Sequence, residues 1–114
     1  MNRLNSCLIE GVLIADPEIH ATENGMTVRT FTIESSRFFR TGEGGKLERE
    51  DSRFNVEDWS KRAEDRAGIG RKGDTIRVVG RLKQGRWNDP DDEMRSEAVI
   101  IADQIETKRR EKRG

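Results

Sequence analysis

Apolar and polar residues alternate with a period of two along most of this chain, which predicts strands rather than helices as the main element. The first strand is predicted over residues 4–14. Cys7, Ile9 and Leu13 share one face, and Leu8, Val12 and Ile14 share the other. Apolar residues on both faces call for cover on both sides, from a closed barrel or from another subunit. Asp16-Pro17 opens a turn and Asn24-Gly25 marks the next reversal. A second strand is predicted over 26–39, anchored by Val28, Phe31 and Ile33, and Gly42-Glu43-Gly44-Gly45-Lys46 reads as a flexible hairpin tip. The third strand covers about 50–59. Ser60 is placed to cap a short helix through residue 69, which the glycines between 70 and 73 end. The fourth strand, 75–86, carries Ile76, Val78 and Leu82, with Gly80 inside it as the mark of a bulge or barrel corner. Asn88-Asp89-Pro90-Asp91-Asp92 is a turn, and the fifth strand is predicted over 95–105.

Three strands, one short helix and two strands is the order of the oligonucleotide/oligosaccharide-binding (OB) fold, a five-stranded Greek-key barrel. The predicted class is therefore all-β with one short helix. At 114 residues a single domain is expected, over 1–106, followed by a basic, disordered tail over 107–114. Composition changes the picture in one respect. Charged residues make up 39% of the chain and hydrophobic ones 32%, and about one residue in five is Leu, Ile, Val or Phe, close to the range of disordered chains. Disorder usually also needs a large net charge, and here 22 basic residues balance 22 acidic ones. A small domain stabilised by closing its sheet, or by oligomerising, fits better than a large independent core.

Cys7 is the only cysteine, so neither an intrachain disulfide nor a thiolate metal cluster can form, as suits a reducing cytosol. The chain has no apolar run long enough to span a membrane and no signal-peptide pattern, so a cytoplasmic location without membrane contact is expected.

The candidate chemistry lies in the aromatics. Trp59 sits in Asp58-Trp59-Ser60-Lys61-Arg62, and Trp87 follows Lys83-Gln84-Gly85-Arg86. Arg37-Phe38-Phe39-Arg40 has the same character. Of the six aromatic residues, all but Phe31 fall in or near basic stretches. Flat rings that stack on unpaired bases, flanked by cations that pair with phosphates, are what single-stranded nucleic acid requires. A zero net charge weighs against such a ligand, but a local basic groove suffices if the acids cluster elsewhere, as in Glu48-Arg49-Glu50-Asp51 and around Asp89 to Glu93. Phe38 and Phe39 point to opposite faces of a strand, so one is expected in the core and one, Phe39, on the surface as a stacking platform. Phe54 is divided between the two roles. An ordinary half-buried strand position is the competing reading for each Trp.

These residues, in this order, resemble the bacterial single-stranded-DNA-binding proteins of replication. The resemblance runs through Asn2-Arg3-Leu4-Asn5, the stretch from Gly11 to Asp16-Pro17-Glu18, and Asn24-Gly25 before Val28-Arg29-Thr30-Phe31-Thr32-Ile33. It continues through Phe54-Asn55-Val56-Glu57-Asp58-Trp59-Ser60-Lys61, Ala63-Glu64, Arg71-Lys72-Gly73-Asp74, Val79-Gly80-Arg81-Leu82 and Arg86-Trp87-Asn88-Asp89. No single motif is diagnostic, but their order and spacing together are quite specific, over about residues 2–105. The resemblance implies the OB barrel and non-enzymatic, sequence-tolerant binding of single-stranded DNA in replication, repair and recombination. It also implies a homotetramer, with a dimer as the alternative, and a nucleoid-associated location.

By position, the resemblance implies stacking by Phe39, Trp59 and Trp87, with Phe54 added, and cationic contacts from Lys61, Lys72 and Arg86. Arg37, Arg40, Arg53 and Lys83 join the expected phosphate contacts as neighbouring cations. Three departures stand out. Arg53 occupies a place where many relatives carry a stacking aromatic. Residues 92–98 are shorter than usual. The chain ends Lys112-Arg113-Gly114 where the family continues to an acidic tip that recruits replication and repair proteins, which reads as either a shortened chain or a tail-less paralogue.

Alternatives stay open beside this reading. A primosomal replication protein is a dimer on the same fold. A nuclease would need carboxylates converging on a metal, and a protein-interaction adaptor would have lost DNA binding. The acids of 89–93 lack the spacing, central glycine and terminal glutamate of a calcium loop, so a solvated turn is expected there and no metal or cofactor is implied. His20 is expected at the surface, and Cys7 as a small buried apolar residue.

Overall fold

The computed structural model describes residues 2–60, 70–88, 90–91 and 93–108, without the side chains of Ser60, Arg86, Trp87, Asn88 and Arg95. Six strands form among these: β1 (Cys7–Leu13), β2 (Glu18–Ala21), β3 (Thr27–Arg40), β4 (Leu47–Ser60), β5 (Thr75–Asn88) and β6 (Met94–Lys108). Their neighbour order is β1-β5-β6-β4-β3-β2, and β1 also pairs with β3. That second pairing closes β1, β5, β6, β4 and β3 into a barrel and leaves β2 as a short flap on the β3 edge. The closing contact is brief, Val12 opposite Glu34 and Leu13 opposite Ile33. The β4–β6 pairing is parallel, through Asn55–Val99, Val56–Ile100 and Glu57–Ile101, and every other pairing is antiparallel.

This is the five-stranded OB barrel expected from strand order. β2 was not expected: Glu18-Ile19-His20-Ala21 has no buried residue and hence no apolar alternation to announce it. The helix expected over 60–69 lies outside the described residues, except for Ser60, which ends β4. β1 is shorter than its apolar run. Ahead of it, Asn5 clips onto β5: its amide donates to the Leu82 carbonyl at 2.8 Å and its side-chain oxygen accepts from the Leu82 N–H at 2.9 Å.

The core follows from alternation. Leu13, Phe31, Ile33, Val56, Ile76, Val78 and Ile100 are buried together, with Cys7, Ile9, Phe54, Ala102 and Ile105 packed against them. Cys7 is thus half-buried rather than buried. The two faces of β1 separate as the pattern requires: Cys7, Ile9 and Leu13 turn inward, while Leu8 is 65% exposed and Val12 43% exposed. One charged pair shares the interior. Arg29 and Asp58 have the same inward parity as Phe31 and Val56, face each other in register, and bond at 3.3 Å with side chains only 2% and 3% exposed. Removing one partner of such a pair strands a buried charge, at a typical cost of about 3–5 kcal/mol.

Two glycines mark close approaches. At Gly80 the β5–β6 register slips between Val79 and Gly80, and a Cβ there would stand 2.1 Å from the Ile101 carbonyl oxygen. At Gly11, where β1 crosses towards β3, a Cβ would stand 2.8 Å from the Glu34 carbonyl oxygen. Neither backbone oxygen can move without parting two strands. Gly80→Ala is therefore expected to lower stability by at least about 1 kcal/mol, the scale of overpacking, in urea denaturation. Gly85→Ala, whose Cβ would meet nothing closer than 3.5 Å, serves as the control that stays near the parent.

Candidate nucleic-acid interface

β3 and β4 pair along their whole length, from Thr27 opposite Ser60 to Arg40 opposite Leu47. Only the part nearest Phe31 and Val56 belongs to the barrel wall. Beyond Glu34 the two strands project as a ribbon closed by a turn in which Gly42 and Gly44 hold φ of 72°. Side chains on each strand alternate between the ribbon's faces. The face continuous with the core carries Arg37 and Phe39 on β3, and Glu50 and Phe54 on β4. The outer face carries Thr32, Glu34, Ser36 and Phe38 on β3, and Trp59, Glu57, Asn55, Arg53, Asp51 and Arg49 on β4.

The expected stacking residues divide between these faces. Trp59, on the outer face, is 41% exposed, and its indole N–H donates to Glu57 Oε1 at 2.7 Å, which fixes the ring's orientation. Its register partner Val28 is buried although it too points outward. Phe54 packs against the core. Phe39 is half-buried on the core-side face, with the Arg37 guanidinium 4.9 Å from its ring centroid. Phe38 is 61% exposed on the outer face. The expectation that one of the two phenylalanines, Phe38, enters the core thus fails, because it lies past the end of the barrel, where there is no core to enter. Trp87 and Arg86 stand opposite Arg95 and Ser96 in the β5–β6 ladder, but their side chains lie outside the described residues, as does Lys61.

The cations of the ribbon have carboxylate partners that the sequence did not reveal. Arg53 bonds Glu34 at 3.0 Å, and Arg37 approaches Glu50 at 3.7 Å. Arg40 donates to the Gly45 carbonyl at 3.2 Å. Arg49 donates through Nε to Asp51 Oδ1 at 2.7 Å, and Asp51 also accepts from Ser36 Oγ at 2.6 Å. The signal was present in the chain. Glu34 and Arg53 are register partners, and so are Arg37 and Glu50, once the hairpin's pairing is known. Exposed pairs of this kind contribute little to stability, so exchanging a carboxylate for another anion is inexpensive.

Lys72 and Lys83 are exposed. Lys72 sits on a turn built by Asp74, which accepts from the Arg71 N–H at 2.9 Å, while the Lys72 N–H donates to Asp16 at 2.7 Å. Between the β1–β2 connection and the outer face of β3, β4 and β6 runs a groove of about 430 Å³ lined by Asp16, Glu18, Thr30, Thr32, Asn55 and Glu57 among others. Its floor is a polar chain: Thr32 Oγ1 donates to Asn55 Oδ1 at 2.7 Å, and Asn55 Nδ2 donates to Glu97 at 2.7 Å. The groove is acidic. Phosphates are repelled from it, whereas base edges that offer N–H groups find acceptors. No cluster of three metal-ligating side chains occurs among the described residues, and no helix there is long and apolar enough to cross a membrane.

Comparison with known proteins bears on this arrangement. The model of the Single-strand binding protein family matches residues 4–108. Single-stranded DNA-binding protein 2 of Staphylococcus aureus is 33% identical over 103 residues, covering 90% of this chain and 71% of that protein. Single-stranded DNA-binding protein A of Bacillus subtilis is 39% identical over 80 residues, 70% of this chain but only 45% of its own length. Among solved structures, the Plasmodium falciparum SSB complex with ssDNA superposes with a TM-score of 0.82 at 19% identity, over 97% of this chain and 98% of that one, a likeness of fold. A deletion mutant of the single-stranded DNA binding protein from Thermus aquaticus superposes with a TM-score of 0.77 at 25% identity, over 91% of this chain and 50% of that one.

The ribbon's charge network has its own test. The Asp51 carboxyl is held below its ordinary pKa, first by the Ser36 hydroxyl and then by Arg49, and Arg49 is raised in turn by its bond to Asp51. A depressed carboxyl stabilises the ribbon above the ordinary carboxylate pKa, and that contribution is lost as pH falls through the depressed value. In an NMR pH titration Ser36→Ala should move the Asp51 transition upward; an unchanged midpoint would remove the hydroxyl as the cause.

Proposed function

Because this chain belongs to the single-strand binding protein family, we propose that it binds single-stranded DNA without sequence preference and shields it during replication, repair and recombination. The observation that carries the reading is Trp59: a partly exposed indole on the outer face of the β3–β4 pair, at its barrel end, tied by its own N–H to Glu57, with the guanidinium groups of Arg53 and Arg49 farther along the same face of β4. Stacking accepts any base, since every base has a π-face, so it supplies affinity without sequence readout. Phosphate pairing adds the salt-dependent part. Binding of this kind needs no bond made or broken, so the protein acts as a binder and not as an enzyme.

In this reading Trp59 and Trp87 stack on bases, Phe39 does so from the ribbon's core-side face, and Phe54 supports β4 from the core. Lys61, Lys72, Lys83, Arg37, Arg40, Arg53 and Arg86 supply the phosphate contacts. Arg37 and Arg53 do so by exchanging Glu50 and Glu34 for phosphate, which reconciles a zero net charge with an anionic ligand. The apolar outer face of β1, with Leu8 and Val12, is covered by a second copy in a homo-oligomer, which we take to be a tetramer.

Titration with unstructured oligo-dT should quench tryptophan emission, with affinity falling as salt rises. The signal is confined to Trp59 and Trp87, because the chain has no other Trp and no Tyr. Trp59→Ala and Trp87→Ala should each weaken binding by about 1–3 kcal/mol, and Lys72→Ala should flatten the log–log salt slope by roughly 0.7. No quenching and no mobility shift at low salt would favour the adaptor reading. Light scattering should give a multiple of the protomer mass that drops in Leu8→Glu; a monomeric parent would refute the assembly.

A further inference from the structure

We infer that Phe38, backed by Arg49, is an additional base-stacking position on the same face of the β3–β4 pair as Trp59. The inference rests on the single-strand binding reading and extends it to two residues which neither alternation nor the family resemblance singles out. Three observations carry it.

Phe38 does not serve the core. Its side chain lies beyond the barrel, 61% exposed, and takes no part in the core. A phenylalanine left in water gains almost nothing for the fold, whereas a flat ring open to solvent is what a base needs. Phe38 also shares its face with Trp59. Phe38 stands opposite Arg49 in the β3–β4 ladder, ten β4 positions from Trp59 and hence of the same parity, while Phe39 points to the other side. At about 3.3 Å per residue the two rings mark the ends of a track roughly 33 Å long. The groove over Thr32 and Asn55 lies within it.

The third observation is the cation. The Arg49 guanidinium lies 6.0 Å from the Phe38 ring centroid. It is held in place by Asp51 Oδ1 at 2.7 Å and Ser36 Oγ at 3.3 Å, with Glu34 at 3.9 Å. A guanidinium steadied against one side of a ring restrains that ring and leaves its other face for a base. Asp51 balances the charge of Arg49 locally, so this position contributes stacking more than phosphate attraction.

That balance gives the test its discriminating readout. In the full chain, Phe38→Ala should weaken oligo-dT binding roughly five-fold or more, while the salt slope stays that of the parent. A loss confined to low salt, with a flattened slope, would mean that the variant had disturbed a phosphate contact instead, and would overturn the stacking role. Phe38→Trp, placed in a Trp59→Phe/Trp87→Phe background, should be quenched by oligo-dT. Unquenched emission with retained binding would also overturn it. Unchanged affinity in Phe38→Ala beside weakened affinity in Trp59→Ala would remove Phe38 and leave the binding reading intact. A fall in oligomer mass at unchanged affinity would reassign Phe38 to a subunit contact. Absence of any binding by the parent chain would end both.

Discussion

The architecture depends on one short closure. β1 lies along β5 over six residue pairs but meets β3 at only two, Val12–Glu34 and Leu13–Ile33. Without those two pairs the sheet is open, β1 becomes an edge, and the core cluster loses a wall. With them, the direction of every side chain on β3 and β4 is determined, because alternation runs unbroken along both strands. The core residues Phe31, Ile33 and Val56 settle what the rest of the ribbon does: whatever shares their parity turns to one side, and whatever opposes it turns to the other. Gly11 is the steric condition for this closure, since a side chain there would strike the Glu34 carbonyl.

Charge is managed in the same geometrical way. A chain that is two-fifths charged with no net excess could present its cations and anions as separate patches or as neighbours. Along the ribbon it does the second: Glu34 with Arg53, Glu50 with Arg37, Asp51 with Arg49. The first two are cross-strand pairs in high dielectric, where pairing is worth little and partners exchange readily, whereas Arg49 and Asp51 are held together with Ser36. Arg29 and Asp58, by contrast, are sealed in the interior and serve the fold alone. The two sets show how one composition yields both a fixed internal pair and a series of exposed pairs along the ribbon.

Much of this was legible beforehand, and the exceptions have physical reasons. The five barrel strands could be read because each buries one face, and the Gly80 bulge because glycine within a strand needs a cause. β2 could not be read, for it buries nothing and owes its existence to the β3 edge beside it. Arg29 and Asp58 could have been found: each has the inward parity of its apolar neighbours, a charged residue where an apolar one is due. The ribbon's carboxylate partners depend on hairpin register, which local sequence alone does not specify. Phe38 lies exposed where a core position was expected, because alternation tells two faces apart but does not say where the core stops. The identity of the ligand-binding class came from the order of motifs, which the family match over residues 4–108 upholds.

The unbroken alternation of the β3–β4 ribbon also constrains how this domain can diverge. A single residue inserted or deleted between Ile33 and the turn would carry Arg37, Phe38, Phe39 and Arg40 to the wrong side of β3, while β4, anchored by Val56, keeps its facing and the two strands fall out of match. Residues added or lost in pairs, one pair on each strand, would lengthen or shorten the ribbon and keep its sidedness. Viable lineages should therefore vary this arm in even increments, so that its reach can drift while its handedness is inherited.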